Sequence, residues 1–193
     1  GGGAIFINVS ENLIVNGTIL AAGEDGGNSV QGGGGGGAGG SIFVIAQTFA
    51  GNGTINASGG AGGKNTDATG GAGGGGGGGR IAIYYTTRTF NKIIIASGGP
   101  LGSTSDSATS GGLDGSAGTI FLKQDSALGE LIINNNNFDS GNTTINVPLS
   151  LDSINFTNSA RVNISKNIVT TNLSISSSEM TIYSNFALSN LFA

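Results

Sequence analysis

Four short apolar runs set the rhythm of the first two-thirds of the chain. Ile5-Phe6-Ile7, Ile42-Phe43-Val44, Ile81-Ala82-Ile83 and Ile120-Phe121-Leu122 stand 37, 39 and 39 residues apart. Their alternation and β-branched content predict a strand at each. A second strand-like run follows each one: NGTILAAG at 16–23, NGTINASG at 52–59, NKIIIASG at 91–98 and GELIINNN at 129–136. Glycine tracts at 32–40 and 70–79 precede the second and third opening runs, and a more diluted tract at 111–118 precedes the fourth. One unit therefore reads glycine-rich segment, strand, turn, strand, variable loop. A period near 38 residues predicts stacked supersecondary units, each of which buries its apolar face only against the next.

The texture changes after Gly141, the last glycine of the chain. Apolar residues now recur at every second position in short bursts: Leu149 and Leu151, Ile154 and Phe156, Val162 and Ile164, Leu173 and Ile175, Met180 and Ile182. Asn, Ser and Thr separate the bursts. Short strands with corners that bond their own backbone are what a β-solenoid requires. Helix formers are scarce throughout. The expected fold is all-β, a parallel β-solenoid (β-helix) with packed glycine-rich segments. Residues 1–141 form its glycine-rich β-repeat region and 142–193 its Asn/Ser/Thr-rich coils, continuous with the first.

The glycine tracts pose the sharpest physical question. Ordering glycine costs more backbone entropy than ordering any other residue. An ordered tract without side chains is held by backbone hydrogen bonds and close backbone approach alone. Two arrangements supply these. The tracts pack on one another as extended or polyproline-II segments, or they form inward turns where no side chain fits.

The segments GGGGGGAGGSIFVIAQTFAGNGTINASGGAGG and GGGGGGGRIAIYY resemble the glycine-rich repeats of very large secreted and cell-surface proteins, mostly bacterial and adhesin-like, expected to form β-helices. The resemblance covers about residues 1–133, and the remainder looks like a generic adhesin-type β-solenoid. It implies an extracellular, stacked structural element, and it carries no catalytic role with it.

Composition narrows the chemistry. Only 9% of the 193 residues are charged and the formal net charge is −4. Nucleic-acid binding needs clustered Lys and Arg, and the seven basic residues are scattered. The absence of Cys removes disulfides and thiolate metal sites. No apolar run approaches the length of a membrane-spanning helix. The start at Gly1-Gly2-Gly3 reads as a mature form or a piece of something longer.

Candidate motifs are weak. G-x-G-x-x-G matches abound in poly-glycine, but none lies between a strand and a helix. GGAGGKN at 59–65 approaches a phosphate loop, yet Asn65 stands where Ser or Thr would bind magnesium. GGLDGSAG at 111–118 falls short of a calcium nonapeptide and occurs once. No metal or cofactor is expected beyond covalent glycans. Without His or Cys, no nucleophile–base pair involving either exists. Of the eleven acids, Asp114, Asp125 and Asp139 are the ones whose convergence would support glycoside cleavage. Eight N-x-[ST] sequons, at Asn8, Asn16, Asn52, Asn56, Asn142, Asn155, Asn163 and Asn172, are candidate N-glycan acceptors. Asn134 to Asn137 form either a stacked Asn ladder or a polar loop. The closing SNFALSNLFA suits a docking strand, with Phe186, Leu188, Leu191 and Phe192 as its apolar contacts.

These observations predict a non-enzymatic extracellular structural protein, a homopolymeric filament or surface-layer subunit assembling through its ends. The first rival is a glycan-binding adhesin or phage tail-tip module using loops 62–69 and 100–110. The second is a polysaccharide-cleaving β-helix.

Overall fold

A computed structural model describes residues 1–67, 70–104 and 112–191. Fourteen strands and no helix are found among them. The first strands are long and short in alternation: β1 (Ala4–Ile14), β2 (Thr18–Leu20), β3 (Ser41–Ala50), β4 (Thr54–Asn56), β5 (Arg80–Arg88), β6 (Ile93–Ile95) and β7 (Thr119–Gln124). The long strands pair in parallel, Ile5 beside Ile42, Ile42 beside Ile81 and Ile81 beside Ile120. The short strands pair in parallel as a second sheet, in the order β2-β4-β6. The residues that set the sequence rhythm are thus hydrogen-bonded neighbours.

Between the two sheets lies a wedge-shaped core. Its wide end holds Phe49 and Phe90, stacked with ring centroids 4.6 Å apart. Ile42, Val44, Ile55, Ile81 and Ile83 fill the middle, each at most 1% exposed. Along the short strands the side chains then shrink. Ile19, Ile55 and Ile94 give way to Ala21, Ala57 and Ala96, and these to Gly23, Gly59 and Gly98. Facing sheets stand ~10 Å apart because side chains hold them apart. Removing the side chains by stages brings the two sheets together.

Past the taper the chain continues as two glycine layers. One, at 32–40, 71–79 and 112–118, leads into the long strands. The other, at 21–29, 57–65 and 96–104, leaves the short strands. Neither is helix or strand. Within the first layer Gly36 and Gly39 donate to the carbonyls of Gly74 and Gly77, and Gly75 and Gly78 to those of Leu113 and Ser116. Within the second, Gly59 and Gly62 donate to Ser97 and Pro100. Donors three residues apart on one face mark the three-residue turn of polyproline II, whose peptide groups all point outward to neighbours.

A second third of the N–H groups ties the layers to each other. Gly115 donates to Gly99, Gly99 to Gly76, Gly76 to Gly60, Gly60 to Gly37, and Gly37 to Glu24, at 2.8–2.9 Å. A second zigzag runs from Gly102 through Gly73, Gly63 and Gly34 to Gly27, at 2.7–3.0 Å. A Cβ added at Gly75 would lie 1.9 Å from the carbonyl oxygen of Gly99 in the facing layer, and one at Gly76 2.0 Å from that of Gly37 in its own layer. Every third residue instead points away from the facing layer. Gly35 and Gly77 meet nothing closer than 3.9 Å there, and Ala38, Ala61, Pro100, Leu113 and Ser116 occupy equivalent positions. Of the two arrangements expected for the tracts, packed polyproline-II segments are the one formed.

The GELIINNN run departs from expectation. Instead of joining the short-strand sheet it forms β8 (Glu130–Asn134), antiparallel to β7 in the long-strand sheet. The cause is the tight turn at Asp125–Gly129. Gly129 has φ +108°, and a Cβ there would stand 2.6 Å from the Phe121 ring. β8 begins the second half of the same eight-stranded sheet, with β10 (Leu149–Thr157), β12 (Ile168–Ser176) and β14 (Phe186–Leu191) beyond it. Beside it β9 (Thr143–Ile145), β11 (Arg161–Ile164) and β13 (Glu179–Ile182) form a third sheet. Leu149 pairs Ile168 and Val162 pairs Met180, so partners are now 18 or 19 residues apart. A second core of Ile133, Ile154, Phe156, Val162, Ile164 and Ile168 lies between these sheets. Asn and Ser turn the corners in left-handed backbone at Asn136, Asn137, Asn158, Ser159 and Ser177.

Two adjacent glycines test the layer geometry. Gly76→Ala is expected to lose about 3 kcal/mol of stability or more through the forced contact. Gly77→Ala is expected to be neutral to slightly stabilising, by less than about 1 kcal/mol. Urea unfolding followed by circular dichroism distinguishes them, and equal losses would contradict the packing.

Candidate functional site

The titratable and amide groups singled out in the sequence are mostly engaged with backbone. Asp114 accepts from the N–H of Leu101 at 2.7 Å and of Asp139 at 2.9 Å. Asp139 in turn pairs with Arg161 at 2.9 Å, which also donates to the Ser140 carbonyl at 3.1 Å and meets Glu179 at 3.7 Å. Asp125 sits elsewhere, on the β7–β8 turn, and accepts from Thr86 Oγ1 at 3.1 Å. The structure therefore brings Asp114 and Asp139 together and seats Asp125 on a different surface. Asp106 and Gly111 lie outside the described residues, as do parts of the loops 62–69 and 100–110. Among the described residues, no group of three or more acids is placed to hold a metal ion.

Of the Asn134–Asn137 tetrad, one residue has a defined structural task. Asn135 is fully buried. Its Oδ1 accepts from the N–H of Gly98 at 2.9 Å, and its Nδ2 faces the carbonyl of Gly115 at 3.2 Å, with Phe138 O and Ser140 Oγ nearer still. Gly98 and Gly115 are the glycines whose next partners would come from a further rung. The Asn135 amide replaces that missing peptide group and ends both layers. Asp114 does the same for Leu101. Neighbouring Asn134 accepts from Asn136 N and Asn158 Nδ2, a short ladder between adjacent corners.

The sequons divide by environment. Asn16, Asn52 and Asn142 are exposed on connections and Asn8 is exposed on β1. Asn16 Oδ1 accepts from the N–H of Asn52, so the two recurring Asn-Gly corners stack. Asn56, Asn155, Asn163 and Asn172 are half-buried. Asn56 Oδ1 accepts from Ser58, Asn172 Nδ2 donates to Asp152 O, and the Asn155 carbonyl oxygen is buried. In β14, Phe186 packs against the second core and Leu188 and Leu191 pair with Thr170 and Leu173 of β12. Phe192 lies outside the described residues.

Sequence reasoning did not find the most distinctive surface. On the outer face of the long-strand sheet, Phe6 stacks on Phe43 at 5.4 Å, Tyr84 meets Phe43 edge-on at 5.4 Å, and Phe121 meets Tyr84 at 5.8 Å. The signal was present in the register, because Phe6, Phe43, Ala82 and Phe121 are successive partners. Ala82 leaves a gap in that row, and Tyr84, two residues on and on the same face, fills it. Beside the rings runs a groove of about 450 Å³ bordered by Asn8, Ser10, Gln47, Thr86, Lys123 and Asp125.

Comparison of the chain with family models, curated proteins and solved structures finds no match.

Two outcomes follow. Asn135→Ala is expected to lower stability by about 2–4 kcal/mol, because it takes the buried partner from the Gly98 N–H and the Gly115 carbonyl; a loss under ~1 kcal/mol in urea unfolding would remove its assigned role. In a host that glycosylates, glycans are expected on Asn16, Asn52 and Asn142. Asn155 and Asn172 are expected to stay bare, which site-specific mass spectrometry after enzymatic deglycosylation reads directly.

Proposed function

We propose that this chain is a non-catalytic structural element of an extracellular or cell-surface filament or layer. In this reading it is a β-solenoid with packed glycine-rich segments, and it grows by adding strands at the edges of its sheets. The observation that supports growth is an unfinished edge. β1 and β14 flank the eight-stranded sheet and each pairs on one side only. Ile5 and Ile7 of β1 are half-buried, whereas their partners Ile42 and Val44 are 1% and 0% exposed. A further strand against β1, from another copy or from adjoining polypeptide, would complete that burial. Unpaired parallel edges of this kind recruit partners unless something blocks them.

The non-catalytic part rests on occupation. Asp114 holds two backbone N–H groups and Asp139 is paired with Arg161, and the buried amide of Asn135 is spent on the glycine layers. Low charge, neutral polar corners and exposed sequons suit an extracellular surface.

Sedimentation and negative-stain microscopy test the reading. The chain is expected to form elongated particles whose length increases with concentration. The double variant Ile5→Lys, Ile7→Lys puts charges at the β1 edge that extend to solvent. It is expected to keep its circular dichroism spectrum and remain a monomer. A wild-type chain that stays monomeric at its highest soluble concentration would overturn the proposal.

A further inference from the structure

We infer that the ring ladder on the outer face of the long-strand sheet is a binding platform for a neutral polysaccharide chain. The inference stands independently of the assembly reading.

The ladder crosses four strands, from Phe6 on β1 through Phe43 and Tyr84 to Phe121 on β7. Its Phe6–Phe43 end is exposed where exposure has no structural use, whereas Tyr84 is half-buried and Phe121 packs against the second core. Phe6 is 64% exposed and Phe43 37%, while the inward positions of the same strands are already filled. Adjacent rings stabilise one another by about 0.5–1.5 kcal/mol per pair, but Thr or Val would serve an outer strand face without the liability of an apolar patch. Phe6 and Phe43 therefore point to a partner outside the sheet.

Shape and charge identify its class. The apolar strip is narrow, widened only by Ile45 at the edge of the groove. On one side its neighbours are Ala4, Ser41, Arg80 and Thr119, and on the other the polar groove. With rings of ~200 Å² each, of which only Phe6 and Phe43 are exposed, the open apolar area is at most a few hundred Å². That is well short of the ~800 Å² per partner that a stable protein interface needs, so a second protein copy is a poor fit. Nucleic acid would also stack on rings, but it needs a basic track, and here Lys123 is offset by Asp125 within the same groove. A narrow ligand with flat apolar faces and a hydroxyl rim matches the strip. The C–H faces of linked pyranose rings lie over the exposed parts of Phe6, Phe43 and Tyr84, and the hydroxyls meet the amides of Asn8 and Gln47 and the oxygens of Ser10, Thr86 and Asp125. Amides and hydroxyls that both donate and accept are suited to that rim. Because the ladder runs across the strands, the polysaccharide lies perpendicular to them, one residue after another along the sheet.

The test uses the full chain with cellohexaose, chitohexaose, mannan and insoluble cellulose as probes, in affinity electrophoresis, calorimetry and pull-down. At least one probe is expected to bind. Phe43→Thr is expected to weaken that binding tenfold or more. Gln47→Ala, which leaves the rings intact, is expected to weaken it severalfold, with both variants retaining the wild-type circular dichroism spectrum. Failure of all four probes would overturn the inference. So would undiminished binding by folded Phe43→Thr, or self-association of the wild type that Phe43→Thr alone abolishes, since a second copy would then be the occupant.

Discussion

Two polypeptide layers here touch main chain to main chain, and the rest of the fold is arranged around that contact. A zigzag of peptide hydrogen bonds from Gly115 to Glu24 exists only because no Cβ stands between the layers. The contact also explains the strands on either side. Sheets that must meet at backbone distance at one end can diverge only gradually, so the side chains between them grow from Gly to Ala to Ile to Phe along the wedge. The core and the glycine layers are one graded structure.

Much of this was legible in the residues. The spacing of Ile5, Ile42, Ile81 and Ile120 is the strand register itself, because in-register parallel strands repeat side-chain character at each step. Side-chain-free tracts leave backbone contact as the only means of order, which limited them to a short choice of arrangements. The first spacing of 37 has a local explanation. β1 carries one extra residue at a bulge between Val9 and Asn12, and the connection after Ser29 is three residues shorter than its successor. Other features were not legible. The antiparallel placement of β8 depends on the turn at Gly129 and its fit against the Phe121 ring, and apolar alternation is the same in either strand direction. Asn135 reads as one of four identical polar residues until its depth is known. The ring ladder needs Tyr84 to lean into a gap left by Ala82, a compensation between neighbours that no single run displays.

Polar chemistry in this chain is mostly spent on replacing absent peptide groups. Asn135 and Asp114 stand in for a further rung of the glycine layers, Asp25 and Asn28 accept from Ala61 and Lys64 along the outside of one layer, and left-handed Asn and Ser turn the later corners. With so many side chains engaged in this way, the surface left for recognition is the one with regular geometry, the outer face of the long-strand sheet. There parallel register multiplies one aromatic position into a row, and neighbouring polar positions into a second.

The three-residue turn of the glycine layers constrains how such a chain can change length. Removing or adding one or two residues inside a tract would rotate everything beyond it by a third or two-thirds of a turn, carrying Ala38 or Ala61 into the space reserved for bare backbone. A step of three restores every peptide group to its partner.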